Sequence, residues 1–421
     1  MLSLSGTVLL LMGMLMGLPT ASLAGQALPA APVGDDPLML SPEQAAATLG
    51  AKPSAPDLPD YAFDWSLGLR GSYINDSQSG VRYEQQVLPS VTLTHNAQDL
   101  SLHATADAQL SKTDNGEINI DDARLSAGSA LQFDPASSLV SNGTLEVTQE
   151  DPNSPDVAGD VATTPVETSG EFDSTFTRRF GRFNASVSGN AQRQVYGPTT
   201  LVDGTQTDNA GLNNTSGGGG LRVGFQLTPV IELFTAVNAT RAVFDAPSPT
   251  LTGVKLDGNL YTAMVGASAK WDETLWGSAS VGFGTEHFDD TSLADVRSVL
   301  YDASLTFKPT STLTLSGNFA TAIAPPGPDG SGSAGVTYAA AAGATYQVND
   351  WLDYRSSAGW TSTTYADSSQ TNKGYALGLG ADYSLSGHSK VSADYNFDHT
   401  QQSFSLPDDT HTVTLGLTFQ K

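Results

Sequence analysis

The side chains best suited to chemistry are few, and their spacing suits none of the common reactions. The 421-residue chain holds six His and no Cys, which removes thiolate chemistry and disulfides. "EHFDD" places Glu286, His287, Asp289 and Asp290 at the end of an alternating segment. A helical zinc motif needs two His on one face, so this pattern fits a solvated rim instead. "DNGEINIDD" at 114–122 lacks the alternating ligands and turn glycine of a calcium loop. "SGGGG" at 216–220 runs into "LRVGFQL" without a following helix or a Lys-Ser/Thr pair, so it is no phosphate loop. No nucleophile elbow and no Ser/His/acid set can be assigned. The sequence therefore predicts no enzyme, no catalytic residue, no cofactor and no metal. With 44 acidic against 19 basic residues and a net charge of −25, it also predicts no nucleic-acid partner.

What the charged residues do share is a periodicity, and it defines the elements that carry them. In "YALGLGADYSL", Tyr375, Leu377, Leu379, Ala381, Tyr383 and Leu385 occupy one parity, while Gly378, Gly380 and Asp382 occupy the other. Two-residue alternation is the signature of a strand with one apolar face. A tyrosine near each end of that face suits a strand crossing a bilayer, because amphipathic rings settle at the headgroup levels. Eight residues at about 3.3 Å each, tilted by about 40°, cover roughly 20 Å of bilayer normal, close to the height of an outer-membrane apolar band. The bracketing recurs with Tyr261 and Trp271, Tyr301 and Phe307, and Tyr338 and Tyr346, and Phe419 stands almost at the C-terminus. Together with Tyr375 and Tyr383 these form a predicted aromatic girdle.

Eighteen strand segments follow from residue 61 onward: 61–73, 86–95, 99–111, 120–134, 139–150, 170–180, 183–196, 217–227, 231–245, 259–271, 274–289, 297–308, 311–324, 335–348, 351–366, 373–385, 389–405 and 410–420. Their connections alternate between tight ("PASS", "DE", "ND", "SGH") and long ("DPNSPDVAGDVATTPVETS", "GPTTLVDGTQTDNAGLNNTS"). The fold class expected is all-β: a transmembrane antiparallel up-and-down barrel of 16–18 strands, with short periplasmic turns and longer extracellular loops. The alternation assigns residues 61–421 to this barrel. Residues 1–24 read as a secretory signal, since an apolar run from Val8 to Leu18 precedes small residues at Ser22 and Ala24. Residues 25–60 read as a Pro/Ala-rich periplasmic segment. Within it "SPEQAAATLG" predicts one short helix, with Ser41 as N-cap, Pro42 at the first position and Gly50 as stop.

Parity also names the groups expected to line the interior. They are Asp64, Arg70, Asp107, Arg124, Asp173, Arg179, Arg222, Glu232, Lys270, Glu286, Asp302, Lys308, Asp353, Arg355, Asp382, Asp394 and Asp398. Both signs occur among Asn, Gln, Ser and Thr, so this wall should hold water, and barrels of this strand number leave an aqueous channel. Arg178 and Arg193 fall on the lipid-facing parity, near strand ends where the cost is small. Residues 125–177 contain no Lys or Arg but carry Asp134, Glu146, Glu150, Asp151, Asp156, Asp160, Glu167, Glu171 and Asp173. This run reads as a solvated surface loop, with folding into the pore mouth as the alternative.

One region carries a more specific pattern. Glu150, Ser154-Pro155-Asp156, Gly159, Pro165, Arg179-Phe180-Gly181-Arg182-Phe183, and Arg193 with Tyr196 resemble the putative β-barrel porin 2 family of proteobacterial outer-membrane proteins. The Asn usual inside that family's turn is Gly181 here. The resemblance implies a porin-like barrel in the Gram-negative outer membrane, often linked to exopolysaccharide secretion. Its partners would then be outer-membrane lipid, exopolysaccharide and periplasmic export components. A general diffusion porin, a plugged structural barrel and, last, an outer-membrane enzyme are the alternatives.

Overall fold

The computed structural model describes residues 61–421 except 114–117, 151, 153–156, 158–159, 252, 327–329 and 404–405. The expected signal and the expected helix beginning at Ser41 lie outside these residues, as do Ser154-Pro155-Asp156 and Gly159.

Alternation becomes strand throughout. In chain order the strands are β1 (Tyr61–Asp76), β2 (Gly80–Asn96), β3 (Leu100–Thr113), β4 (Ile118–Asp134), β5 (Ser137–Gln149), β6 (Val161–Thr163) and β7 (Val166–Phe180). There follow β8 (Phe183–Tyr196), β9 (Thr199–Leu201), β10 (Gln206–Thr207), β11 (Asn214–Gln226), β12 (Ile231–Phe244), β13 (Gly258–Trp271) and β14 (Leu275–Phe288). The last are β15 (Val296–Thr310), β16 (Leu313–Ala324), β17 (Gly335–Asn349), β18 (Leu352–Tyr365), β19 (Thr371–Ser386), β20 (Ser389–Gln402) and β21 (Asp408–Gln420). Eighteen of them form one sheet, each antiparallel to its chain neighbour. The sheet closes because β1 pairs with both β2 and β21. Closure gives every wall strand a partner on both sides, which is what lets a sheet stand in hydrocarbon. Among the described residues no helix is long and apolar enough to cross a membrane.

Two faces result. Leu69, Leu93, Leu145, Phe172, Val187, Leu221, Val265, Phe283, Leu305, Leu379 and Leu415 stand exposed around the outside. On the opposite parity Thr92, Thr105, Thr175, Ser186, Thr262 and Thr361 are buried among inward side chains. The turns at one end of the barrel are as short as two residues, at Pro135–Ala136 and Gly181–Arg182. Gly181 has φ +63° there, a left-handed conformation that glycine takes without strain.

The structure corrects the sequence reading at two places. The first connection was expected to span 74–85, yet β1 and β2 run on to a hairpin of only Ser77–Ser79. The reason is local: Asp76 Oδ1 accepts the backbone N–H groups of Gln78 (2.9 Å) and Ser79 (2.6 Å), and Gly80 turns the chain at φ +84°. Two of the long loops are joined to each other by a small sheet of β6, β9 and β10. The reading of the acidic run as a surface loop also fails for Asp134, Glu146, Glu167, Glu171 and Asp173, which stand on β4, β5 and β7; the segments 120–134, 139–150 and 170–180 already place all of these but Glu167 on strands, and β7 reaches Glu167 by starting at Val166.

One stretch of wall departs from the cylinder. β16 pairs with β15 only as far as Asp302↔Ala320 at its loop end. Beyond that point it stays paired with β17 up to Ala324↔Gly335 but leaves β15. By alternation Ile323 shares a face with Leu315 and Phe319, yet it is buried against Ala236, Met264, Phe288, Val296, Leu300 and Ala334. Ala236, Met264, Phe288 and Leu300 face inward on β12–β15, and a methyl on inward Gly284 would meet Ile323 Cδ1 at 3.0 Å. The top of the β16–β17 hairpin therefore folds over the inner surface of β13–β15.

Candidate functional site: the inner wall

Every polar candidate named from parity stands on the inward face, opposite the exposed apolar stripe. They fall into three groups and a scatter of single residues.

The first group lies on β3, β4, β5 and β7. Asp107 and Arg124 are register partners, and Arg124 is in turn opposite Glu146. Asp173 accepts Asn142 Nδ2–H at 3.2 Å on the next strand. A register shift opposite Gln109–Leu110 places Asp121 beside Asp122, and Ser111 Oγ donates to Asp121 at 2.6 Å. Sequence parity cannot find Asp121, because a bulge turns two successive side chains to one side. Asp122, Glu146, Glu167 and Glu171 were legible, since each shares parity with an inward neighbour on its own strand. One arginine thus stands in a wall of carboxylates.

The second group is a packed joint. Arg222 is fully buried; it pairs with Glu232, donates to Asn184 Oδ1 at 3.2 Å and lies 4.2 Å from the centre of the Phe234 ring. Asn184 Nδ2 donates to the other Glu232 oxygen, so guanidinium, amide and carboxylate bond to one another across three strands, with Arg222 Nε alone left buried without a partner. A buried charge is tolerated only when so enclosed. The third group is Arg355, which bridges Asp382 and Asp394 at 2.8 Å each, with Lys390 3.7 Å from Asp382.

The remaining candidates are dispersed. Arg179 caps the two-residue turn between β4 and β5 through Pro135 O at 2.8 Å, and Lys308 lies 5.1 Å from the Trp276 ring. Asp64, Arg70, Lys270, Glu286, Asp302, Asp353 and Asp398 stand at separate inward positions. Of the aromatic candidates, Tyr261, Trp271, Tyr301, Tyr346, Tyr375, Tyr383 and Phe419 are exposed on the outer face. Phe307 and Tyr338 are half-buried.

Charges on the lipid-facing parity meet partners at the outer rim. Arg193 donates to Asp245 Oδ1 at 2.9 Å and to Thr215 Oγ1 at 3.0 Å, and Arg241 donates to Asp289 Oδ1 at 2.7 Å. The hydrogen bond from Arg193 holds the Asp245 carboxyl below its ordinary range. A depressed carboxyl pKa stabilises the fold above the unfolded value, and that contribution is lost as pH falls through the lowered one. Both partners are about 40% exposed, so the pair should be worth under about 1 kcal/mol. Arg193→Gln should change urea stability at pH 7 by no more than that and should flatten the acid limb. A larger loss at neutral pH would mean the pair does more than tie one loop to the wall.

A closed antiparallel barrel with an apolar outer belt, aromatic interfaces and a charged, hydrogen-bonding interior is an outer-membrane porin-like barrel. Within that class, the chain belongs to the family described as putative beta-barrel porin 2, whose model matches residues 73–421. Family and fold together point to the bacterial outer membrane. Among solved structures the chain is similar to the copper transporter OprC, at 10% identity and TM-score 0.47, over 87% of this chain and 82% of that one. It is also similar to the outer membrane protein OpdK of Pseudomonas aeruginosa, at 11% identity and TM-score 0.43, over 86% and 99%. A third is OccK3 (OpdO) of Pseudomonas aeruginosa, at 11% identity and TM-score 0.42, over 85% and 95%. No curated protein matches significantly.

Proposed function

We propose that the barrel is a water-filled passage that serves exopolysaccharide export, with a preference for cations over anions along its acidic wall. The observation that carries the passage is the inner surface itself. Away from the buried patch under Ile323, it presents hydroxyls, amides and carboxylates on nearly every strand. Such groups exchange hydrogen bonds with water and with sugar hydroxyls at little net cost, so a hydrated polymer could slide without a deep minimum. The family resemblance supports the polymer; the wall chemistry alone supports any hydrophilic cargo.

The carboxylates on β3–β7 favour a second reading, a diffusion porin for small hydrophilic and cationic solutes. One experiment separates the two. Deleting the protein from its host should abolish polymer secretion while small-solute uptake stays normal. Normal secretion with impaired uptake would give the argument to the diffusion porin. In planar bilayers both readings predict conduction with a cation preference that weakens as salt shortens the reach of the wall charges. Asp107→Asn with Glu146→Gln should lower that preference several-fold. Unchanged selectivity would remove this wall from the conduction path, and silence in the bilayer would favour a plugged structural barrel.

A further inference from the structure

The strands that close the barrel, β1 and β21, meet at the outer rim in a feature that pore function does not require. Asp76 ends β1, and Asp408 begins β21, two residues before Thr410, the register partner of Asp76. Both are almost wholly enclosed, at 3% and 2% exposure. Thr410 Oγ1 donates to Asp76 Oδ2 at 2.9 Å, while Asp76 Oδ1 is occupied by the Gln78 and Ser79 N–H groups. Ser77 Oγ donates to Asp408 Oδ1 and in turn accepts the Asp409 N–H at 2.9 Å. Asp408 Oδ2, by contrast, is buried with no hydrogen-bond partner, and its position on β21 is diagonal to Asp76 on the same face of the sheet.

Two facing carboxylates withdrawn from water repel each other and lose hydration. Among the described residues neither carboxylate takes part in an ion pair. Asp76 is held by its three donors, but Asp408 Oδ2 has none, and a positive charge entering here, either a proton or a cation, would supply what it lacks. The donors converging here are all oxygens: the two carboxylates and the hydroxyls of Ser77 and Thr410. Oxygen-only sets select hard divalent ions, and a site on a short hairpin with adaptable geometry suits Ca²⁺ better than the strict octahedron of Mg²⁺.

We propose that Asp76 and Asp408, with Ser77 and Thr410, form a Ca²⁺ site that clasps the first hairpin to the last strand at the outer rim of the barrel. The ion would enter from the exposed Ser77–Ser79 hairpin, and water would complete its shell. Its effect would be to lock the seam at which the sheet closes on itself.

The test uses the full chain refolded in detergent and stripped of divalent ions with a chelator. Adding Ca²⁺ should raise the thermal unfolding midpoint of the wild type by several degrees, with a matching heat of binding in calorimetry. Mg²⁺ at the same concentration should shift it less. Asp408→Asn should abolish the Ca²⁺ shift and, without Ca²⁺, should be at least as stable as the ion-free wild type, because the repulsion is gone. A wild type that binds no Ca²⁺ would overturn the proposal, and this reading needs no variant to fold. So would an equal shift in wild type and Asp408→Asn, which would place the ion elsewhere. Stability that rises on mild acidification but ignores Ca²⁺ would assign the pair to a shared proton and likewise overturn it.

Discussion

Ile323→Asp should widen the outer mouth of the barrel and raise single-channel conductance several-fold. Ile323 is 6% exposed and is the residue by which the top of β16 sits on the inward side chains of β12–β15. Burying its side chain contributes about 1.5–3 kcal/mol. A carboxylate at the same point would face Met264, Leu300 and Phe288 with no partner, at a cost of several kcal/mol. The cheaper outcome is for the hairpin top to lift into water. The wall should survive, because β16 keeps its pairing with β17 along its whole length and with β15 below Ala320. Heat-modifiable migration would show that it does. A folded variant with wild-type conductance would show that this hairpin top does not lie in the ion path.

Leu379→Arg should cost about 2–4 kcal/mol in a lipid refolding assay, the range for a cation near the bilayer midplane. Leu379 is 62% exposed on the outer face, midway between Tyr375 and Tyr383, and no acid shares that face within the strand. Asn318→Arg is the matched control, since Asn318 is exposed on the inward parity of β16, where a guanidinium meets water. The control should cost well under half as much. Gly378, the inward neighbour of Leu379, serves less well, because even a methyl there would approach Ser357 Oγ at 2.4 Å. Equal losses for Leu379→Arg and Asn318→Arg would invert the assignment of the two faces.

Where these expectations come from differs residue by residue. The side on which Leu379 or Asp382 lies is fixed by two-residue periodicity, because a strand offers only two directions and the apolar set must take one of them. The barrel follows from the same rule: eighteen alternating segments with one apolar face have no other way to satisfy their backbone in lipid. Gly181 was legible as a turn for an equally local reason, since its left-handed φ is open to few other residues.

Contacts between strands were a different matter. Asp121 faces inward because a register shift in its neighbour sends it there, and no spacing within β4 records that shift. The short first hairpin depends on how Asp76 uses its own carboxylate, so the polar stretch 74–85 read as loop when most of it is paired. Ile323 has the parity of a lipid-facing residue and ends inside the barrel, because the wall it belongs to opens above Ala320. The meeting of Asp76 with Asp408 joins residues 332 positions apart, and only ring closure brings them together. The chain alone thus determined periodicity, the two faces and the number of wall strands to within two, because each is a property of neighbours along the backbone. Register, the inward-folded hairpin and the seam of the ring were decided by the tertiary structure, because each depends on which distant strand lies alongside.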